Sequence, residues 1–386
     1  VVYYSMEVRT GKSLTSLETA KLYNAKNVLF LTKKKAIKSI INDYNDFGYT
    51  FTLTVNNHEQ VGNIQGEFDL LIVDEAHKFG AFPKPGKYAK LIKSKYSHLP
   101  IIYLSGTPSP ESFSQIYHQF WLSNNSPFKE YKTFYKWAKE FVDVKQVNLG
   151  YATVNDYSNA KKELIDKHTS HLFISFTQKE AGFQTDIKET IDFMYLEPKT
   201  IQMIKRLKRD KVLIGSKEQV IADTASKLMS KIHQLSSGTI KFESGNSKVI
   251  DYSKARYIKD KFNGHKIGIF YKFKEELNQL KEIFKDELTT DLNEFNETNK
   301  SIALQIVSGR EGISLSLAKY LVFMNIDFSA TSYFQGRDRL TTMNRLENEI
   351  FWIFSVGGIE MSIYKAVKNK EDYTLSHFKN NLKNGF

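Results

Sequence analysis

Two short motifs, each set directly after an apolar run, constrain this chain more than anything else in it. Val1–Ser5 leads into Met6-Glu7-Val8-Arg9-Thr10-Gly11-Lys12-Ser13, and Leu70–Val73 leads into Asp74-Glu75-Ala76-His77. A Gly-Lys-Ser turn between a strand and a helix offers backbone N–H groups and a positive helix end to phosphates. Lys12 adds a cation for the β- and γ-phosphates, and Ser13 a hydroxyl for Mg2+. Asp74 can hold the same ion, directly or through water. Glu75 can orient and deprotonate an attacking water, and His77 is placed to link this site to the next motif. The pair predicts an ATP hydrolase using Mg2+. The full Gly-x-x-x-x-Gly-Lys-Ser pattern is not met, because Met6 stands where the first Gly belongs.

The first half alternates strand and helix signals, which predicts α/β architecture with a parallel sheet. Strands are expected at 1–5, 27–31, 51–55, 70–73 and 100–104. Helices are expected at 13–23 and 33–44. The run Leu70–Val73 is continuously apolar, as a strand buried on both faces should be. Ser105-Gly106-Thr107-Pro108 follows another such run. Chemistry is thus expected at the carboxyl ends of three strands, where open α/β sheets bind ligands.

Composition narrows the class. With 386 residues, two domains are expected. The net charge of +12, from 55 Lys+Arg against 43 Asp+Glu, suits a polyanionic partner. There is no cysteine, so disulfides and thiolate metal sites are excluded, in keeping with a reducing cytoplasm. The nine histidines lack metal-ligand spacing. No run of about 18 apolar residues points to a membrane span. The chain opens inside what reads as a core strand, so a preceding segment is expected.

On these residues the chain resembles superfamily 2 DEAH-motif helicases and translocases, in particular the Swi/Snf-like branch in its bacteriophage-type form. That branch writes its phosphate loop Asp-Glu-Met-Gly-Leu-Gly-Lys-Thr and also lacks the first Gly. Glu7, Gly11, Lys12 and Ser13 match it, whereas Arg9 replaces the inner Gly. Ser105-Gly106-Thr107-Pro108 is similar to the motif that couples hydrolysis to lobe movement, which implies coupling roles for His77, Ser105 and Thr107. The stretch 116–121 and then Ser126-Pro127-Phe128 resembles the helical continuation typical of the branch. Thr32-Lys33-Lys34-Lys35 occupies the place of motif Ia and Asn57-His58-Glu59 lies near motif Ib. The resemblance implies phosphate-backbone contacts for both; as bare sequence the Lys run is equally a solvated helix start.

The second half carries a helical, charged region and then a second α/β pattern. Amphipathic helices are expected at 198–209 and 217–234, inside a helical insertion at about 198–264. Ser253-Lys254-Ala255 resembles the family's Ser-Gly-Lys start of lobe two. Gly312-Ile313-Ser314-Leu315 resembles motif V, and in the same frame Phe328 falls on a family aromatic, Gln335 on the Gln of motif VI, and Asp338-Arg339 on its Asp-Arg. Gly357-Gly358-Ile359-Glu360 resembles the closing Thr-Ile-Asp-Glu segment. The second Arg of motif VI is replaced by Thr342, and the family's adenine-reading Gln stretch has no counterpart before the phosphate loop.

The resemblance therefore implies two RecA-like lobes, residues 1–160 and 161–386, with parallel sheets flanked by helices and ATP in the inter-lobe cleft. It implies a DNA-dependent ATPase that moves on double-stranded DNA. ATP would be bound by Glu7, Gly11, Lys12, Ser13, Asp74, Gln335 and Arg339, with Mg2+ on Ser13 and Asp74. Lys12, Glu75 and Arg339 would be catalytic, Arg337 and Arg345 being the other arginines open for the finger. Thr32, Lys33, Lys34, Gly312 and Ile313 would touch nucleic acid. The expected location is the cytoplasm, or a host cytoplasm if the source is viral. Two alternatives stand beside this reading: an RNA helicase of the same superfamily, and a nucleic-acid-binding scaffold with a decayed ATPase.

Overall fold

The computed structural model describes residues 1–148, 153–183, 186–215, 217–309, 313–341, 347–369 and 372–384. The chain forms two compact units, Val1–Gly182 and Phe183–Phe386. In the first, the order is β1 (Val2–Met6), α1 (Lys12–Leu22), β2 (Asn27–Thr32), α2 (Ile37–Asp46), β3 (Thr52–Asn57), β4 (Leu70–Asp74), α3 (Lys87–Tyr96), β5 (Ile101–Leu104), α4 (Gln115–Trp121), α5 (Phe134–Phe141), β6 (Lys145–Asn148), β7 (Thr153–Asp156), α6 (Lys162–Thr169) and β8 (Phe173–Phe176). Six of these strands form one sheet in the order β3-β2-β4-β5-β1-β8, and every neighbouring pair is parallel.

The apolar runs read as strands because both faces of this sheet are covered. Side chains alternate along each strand. Leu29, Leu31, Leu71, Val73, Ile101 and Tyr103 enter one core with α3, α4 and α5. Val28, Phe30, Leu70, Ile72, Ile102 and Leu104 enter the other with α1 and α2. The stretch after Pro108 supplies packing: buried Tyr117 and Phe128 pack on Trp137, and buried Phe120 packs on Phe128 and Tyr103.

The second unit runs β9 (Asp186–Met194), α7 (Pro198–Asp210), β10 (Val212–Ile214), β11 (Gln219–Ile221), α8 (Ala225–Ser236), β12 (Thr239–Lys241), β13 (Ser247–Val249), α9 (Ser253–Lys261), β14 (Ile267–Tyr271), α10 (Lys274–Phe284), β15 (Leu288–Thr289), α11 (Leu292–Glu297), β16 (Ser301–Gln305), α12 (Ile306–Gly309), β17 (Tyr320–Phe323), α13 (Ala330–Arg337), β18 (Glu347–Ser355), α14 (Glu360–Lys368) and α15 (Leu375–Asn384). Its sheet, β15-β16-β14-β17-β18-β9, is again six-stranded and parallel throughout. The expected α/β architecture with parallel sheets flanked by helices is present in both units.

Local differences have physical causes. The units divide after Gly182, beyond the expected 160, because β8 pairs with β1 and completes the first sheet. The expected helix over 217–234 begins only at Ala225: Gln219–Ile221 pairs with Val212–Ile214 as a hairpin, and the Thr224 side chain caps α8 by accepting from Lys227 N. The expected helix over 33–44 opens with a 3-10 turn, Lys34–Ala36, before α2. Among the described residues, no helix is long and apolar enough to cross a membrane.

Candidate nucleotide site

The site grows from the carboxyl ends of three interior strands of the first sheet. Across β4, β5 and β1, the residues Asp74, Leu104 and Tyr4 stand in register. With strands about 4.8 Å apart, this sets the Asp74 backbone about 10 Å from the β1 backbone. Just past these points the chain makes the phosphate loop and the acidic pair.

The loop returns on itself. Gly11 sits at φ 85°, a conformation glycine adopts without a Cβ penalty, and α1 starts at the next residue, Lys12, with Ser13 behind it. Arg9 lies at φ 65°, so its backbone takes the left-handed shape that a glycine would, although the residue is Arg. Lys12 Nζ donates to Met6 O at 2.8 Å and Glu7 O at 2.7 Å. Gly106 packs on the same loop: a Cβ there would meet Met6 O at 3.3 Å. Glu7 does not point into the loop. Its carboxylate accepts from Gln178 N at 2.7 Å, while Gln178 Nε2 donates to Val8 O at 2.9 Å. Gln178, just beyond β8, thus braces the loop, a role with no local signal in the sequence.

The acidic pair is enclosed. Asp74 Oδ2 accepts from Thr32 Oγ1 at 2.6 Å, and Asp74 Oδ1 from Glu75 N at 2.9 Å. The ring of His58 bonds the Asp74 carbonyl at 2.9 Å. Glu75 is held at φ 52°, in the left-handed region. Its Oε1 accepts from Lys33 Nζ at 2.8 Å, and its Oε2 lies 3.4 Å from His77 Nδ1. His77 Nδ1 also lies 2.9 Å from Ser105 Oγ, which accepts from Thr107 N at 3.1 Å. The three residues expected to couple the site to the next motif are therefore joined in one chain of contacts.

Electrostatics separate the two carboxyls. Burial pushes Asp74 up to about 6, and the adjacent Glu75 charge adds to this, outweighing Thr32, Lys33 and Lys12. Burial acts the same way on Glu75, but the Lys33 ammonium, then His77, overcome it and hold Glu75 at about 2. For His58, burial and then Lys78 lower the ring to about 4, so it is neutral near pH 7.

Thr32 and Lys33, expected to touch nucleic acid, contact the acidic pair in this structure. Both side chains turn onto the acidic pair, because β2 and β4 are parallel neighbours and Leu31 pairs with Val73. Lys34 is exposed on the following turn.

In the second unit, Gln335 is buried on α13, and its Oε1 lacks a hydrogen-bond partner among the described residues. Arg339 is buried too; its guanidinium donates to Gln335 O at 2.8 Å and Ile313 O at 3.1 Å, tying the Ile313 segment to the end of α13. Arg337 is partly exposed and bonds Glu189 at 3.0 Å. Glu189, on β9, also accepts from Tyr333, Trp352 and Tyr364. Gly312, Thr342 and Arg345 lie outside the described residues.

No protein-family model and no curated protein matches the chain. Among solved structures, it is similar to the Sulfolobus solfataricus SWI2/SNF2 ATPase core in complex with dsDNA, at 14% identity and a TM-score of 0.40, covering 100% of this chain and 89% of that one. It is similar also to the Sulfolobus solfataricus SWI2/SNF2 ATPase core domain, at 14% identity and a TM-score of 0.39, covering 96% of this chain and 84% of that one.

Proposed function

We propose that this protein is an ATP-dependent nucleic-acid motor that couples hydrolysis to movement on duplex DNA. The observation that carries the reading is the convergence of a lysine-bearing loop and a partly buried Asp-Glu pair at the carboxyl ends of two strands, β1 and β4, that flank β5 in one parallel sheet. In this reading the loop N–H groups and Lys12 bind the phosphates. Glu75 orients the attacking water and takes its proton. The contacts from His77 to Ser105 and Thr107 carry the change of state to the neighbouring loop.

The residues fit Mg2+. Asp74 is a partly buried hard-oxygen donor whose proton affinity is raised by desolvation and by the adjacent Glu75 charge, and Ser13 lies in the first turn of α1 beside the loop. Among the described residues, no cluster of three or more His, Asp or Glu could hold a metal alone. The ion would thus be shared with nucleotide oxygens and water, as Mg2+ commonly is, and would supply positive charge to the phosphates. Roles for Glu7, Gln335 and Arg339 in nucleotide chemistry rest on the resemblance alone.

Duplex DNA as the track rests on the Swi/Snf-like resemblance and on the net charge of +12. Contacts to phosphates make binding salt-sensitive and largely independent of sequence. The test is steady-state ATP hydrolysis by the wild type and Glu75→Gln, with no polymer, duplex DNA, single-stranded DNA or duplex RNA. Stimulation by duplex DNA that the variant loses supports the motor. Stimulation by RNA alone assigns an RNA helicase. Polymer binding without hydrolysis assigns a scaffold.

A further inference from the structure

The carboxylate needed for the hydrolytic step is engaged by a residue from another strand. Lys33 Nζ lies 2.8 Å from Glu75 Oε1, and the two side chains are only 11% and 18% exposed. Lys33 belongs neither to the phosphate loop nor to β4. It follows β2 and opens a basic surface in which Lys34, Lys35 and Lys38 are exposed. One lysine of a four-lysine group is therefore turned inward while its three neighbours face solvent.

The consequence for Glu75 is chemical. A general base needs a lone pair aimed at its water and appreciable proton affinity. An ammonium on Oε1, with His77 beside Oε2, takes up both carboxylate oxygens and stabilises the charged form. The backbone at Lys33 is extended, at φ −83° and ψ 147°, and only a three-residue turn follows. The Lys33 stem can swing outward through its own rotamers while α2 stays intact. An ammonium on a flexible four-carbon stem is suited to such a change of partner.

We propose that Lys33 is a latch on Glu75, released when phosphates of a nucleic-acid backbone gather on Lys34 and Lys35 and draw the Lys33 ammonium outward. The proposal rests on the ATPase reading above and specifies its regulation. Lys33 is a positioning residue: it acts on the reaction through Glu75. Without polymer the base is held by Lys33 and hydrolysis is slow. With polymer the phosphates compete for the ammonium and the carboxylate is freed for water. Salt should suppress this activation, since exposed contacts are screened more than the enclosed pair.

The test measures ATP hydrolysis by the full chain, without polymer and with saturating duplex DNA, for wild type, Lys33→Met and Lys33→Arg. A pair intermediate between exposed and fully enclosed predicts a polymer-free rate about tenfold higher in Lys33→Met. The ratio of stimulated to polymer-free rate then falls toward one, with KM for ATP unchanged. Lys33→Arg, whose planar fork grips a carboxylate, lowers the polymer-free rate below that of the wild type. A wild type that responds to DNA while Lys33→Met shows an unchanged or lower polymer-free rate overturns the latch and leaves the motor reading standing. A wild type that responds to no polymer overturns both. Should Lys33→Met fail to fold, Lys33→Arg decides: a polymer-free rate below wild type supports the latch, and one at or above it overturns the latch.

Discussion

Asp74 and Glu75 are consecutive in the chain, yet their carboxyls are driven apart, one to about 6 and the other to about 2. The difference lies in their partners. Asp74 receives neutral donors, a threonine hydroxyl and a backbone N–H, whereas Glu75 receives the Lys33 ammonium. A site that needs one carboxylate for a cation and another for a proton is divided in this way by its neighbours.

Asp74→Asn should stabilise the metal-free protein at pH 7.5. The folded state raises the Asp74 carboxyl from 3.8 to about 6, so the folded protein binds its proton more tightly than the unfolded chain. Ionised Asp74 thus costs folding free energy above pH 6, about 3 kcal/mol, and costs little below pH 4. Thermal melts from pH 4 to 8 should show the gain full at neutral pH and lost as pH falls through that window. A variant no more stable than wild type at pH 7.5 would sink the assignment.

Arg9→Gly should preserve nucleotide binding and Arg9→Val should weaken it. Arg9 lies at φ 65°, where a side chain is strained and a β-branched one more so. The strain of an L-residue there is about 1 kcal/mol, and glycine avoids it. Titration with a fluorescent ATP analogue ranks the three proteins; equal affinity for Arg9→Val would contradict the loop geometry.

Gln178→Ala should raise KM for ATP several-fold with little change in kcat. Its amide holds the Val8 carbonyl at 2.9 Å, so the loss loosens the loop while Lys12 and Glu75 remain. One neutral hydrogen bond of about 1 kcal/mol corresponds to roughly a five-fold effect. A fall in kcat at unchanged KM would place Gln178 in the chemical step instead.

Lys254→Met should destabilise the second unit by about 3 kcal/mol, because it leaves Glu360 without its cation. The two side chains are 0% and 1% exposed and 2.8 Å apart, and Lys254 also donates to Met324 O. Adding Glu360→Gln should recover part of the loss. Urea unfolding of the single and double variants measures it; a double variant no better than the single one would mean that packing, not charge, governs the site.

The strands carrying the site were readable because both faces of each sheet are covered. The run Leu70–Val73 can then be uniformly apolar, and Asp74 marks where burial ends. The phosphate loop was readable because Gly11 and Lys12 answer backbone demands that act within a few residues. The Lys254–Glu360 pair was half visible: both ends sat in segments singled out by spelling, but nothing local said that they touch. Gly358 is explained by the same neighbourhood, since a Cβ there would lie 2.0 Å from Glu360 Oε2 and 2.1 Å from Ser355 Oγ.

Alone, then, the chain's sequence determined the α/β class, the parallel strands and the positions of the Gly-Lys turn after β1 and the acidic pair after β4, since these follow from hydrophobic patterning and short-range backbone geometry. Tertiary structure alone decided who partners whom: Lys33 with Glu75, Thr32 with Asp74, Gln178 with the loop, and Glu189 with Arg337. The reason is that parallel pairing joins strands distant in sequence, so a side chain's neighbours are set by sheet order, which no local pattern encodes.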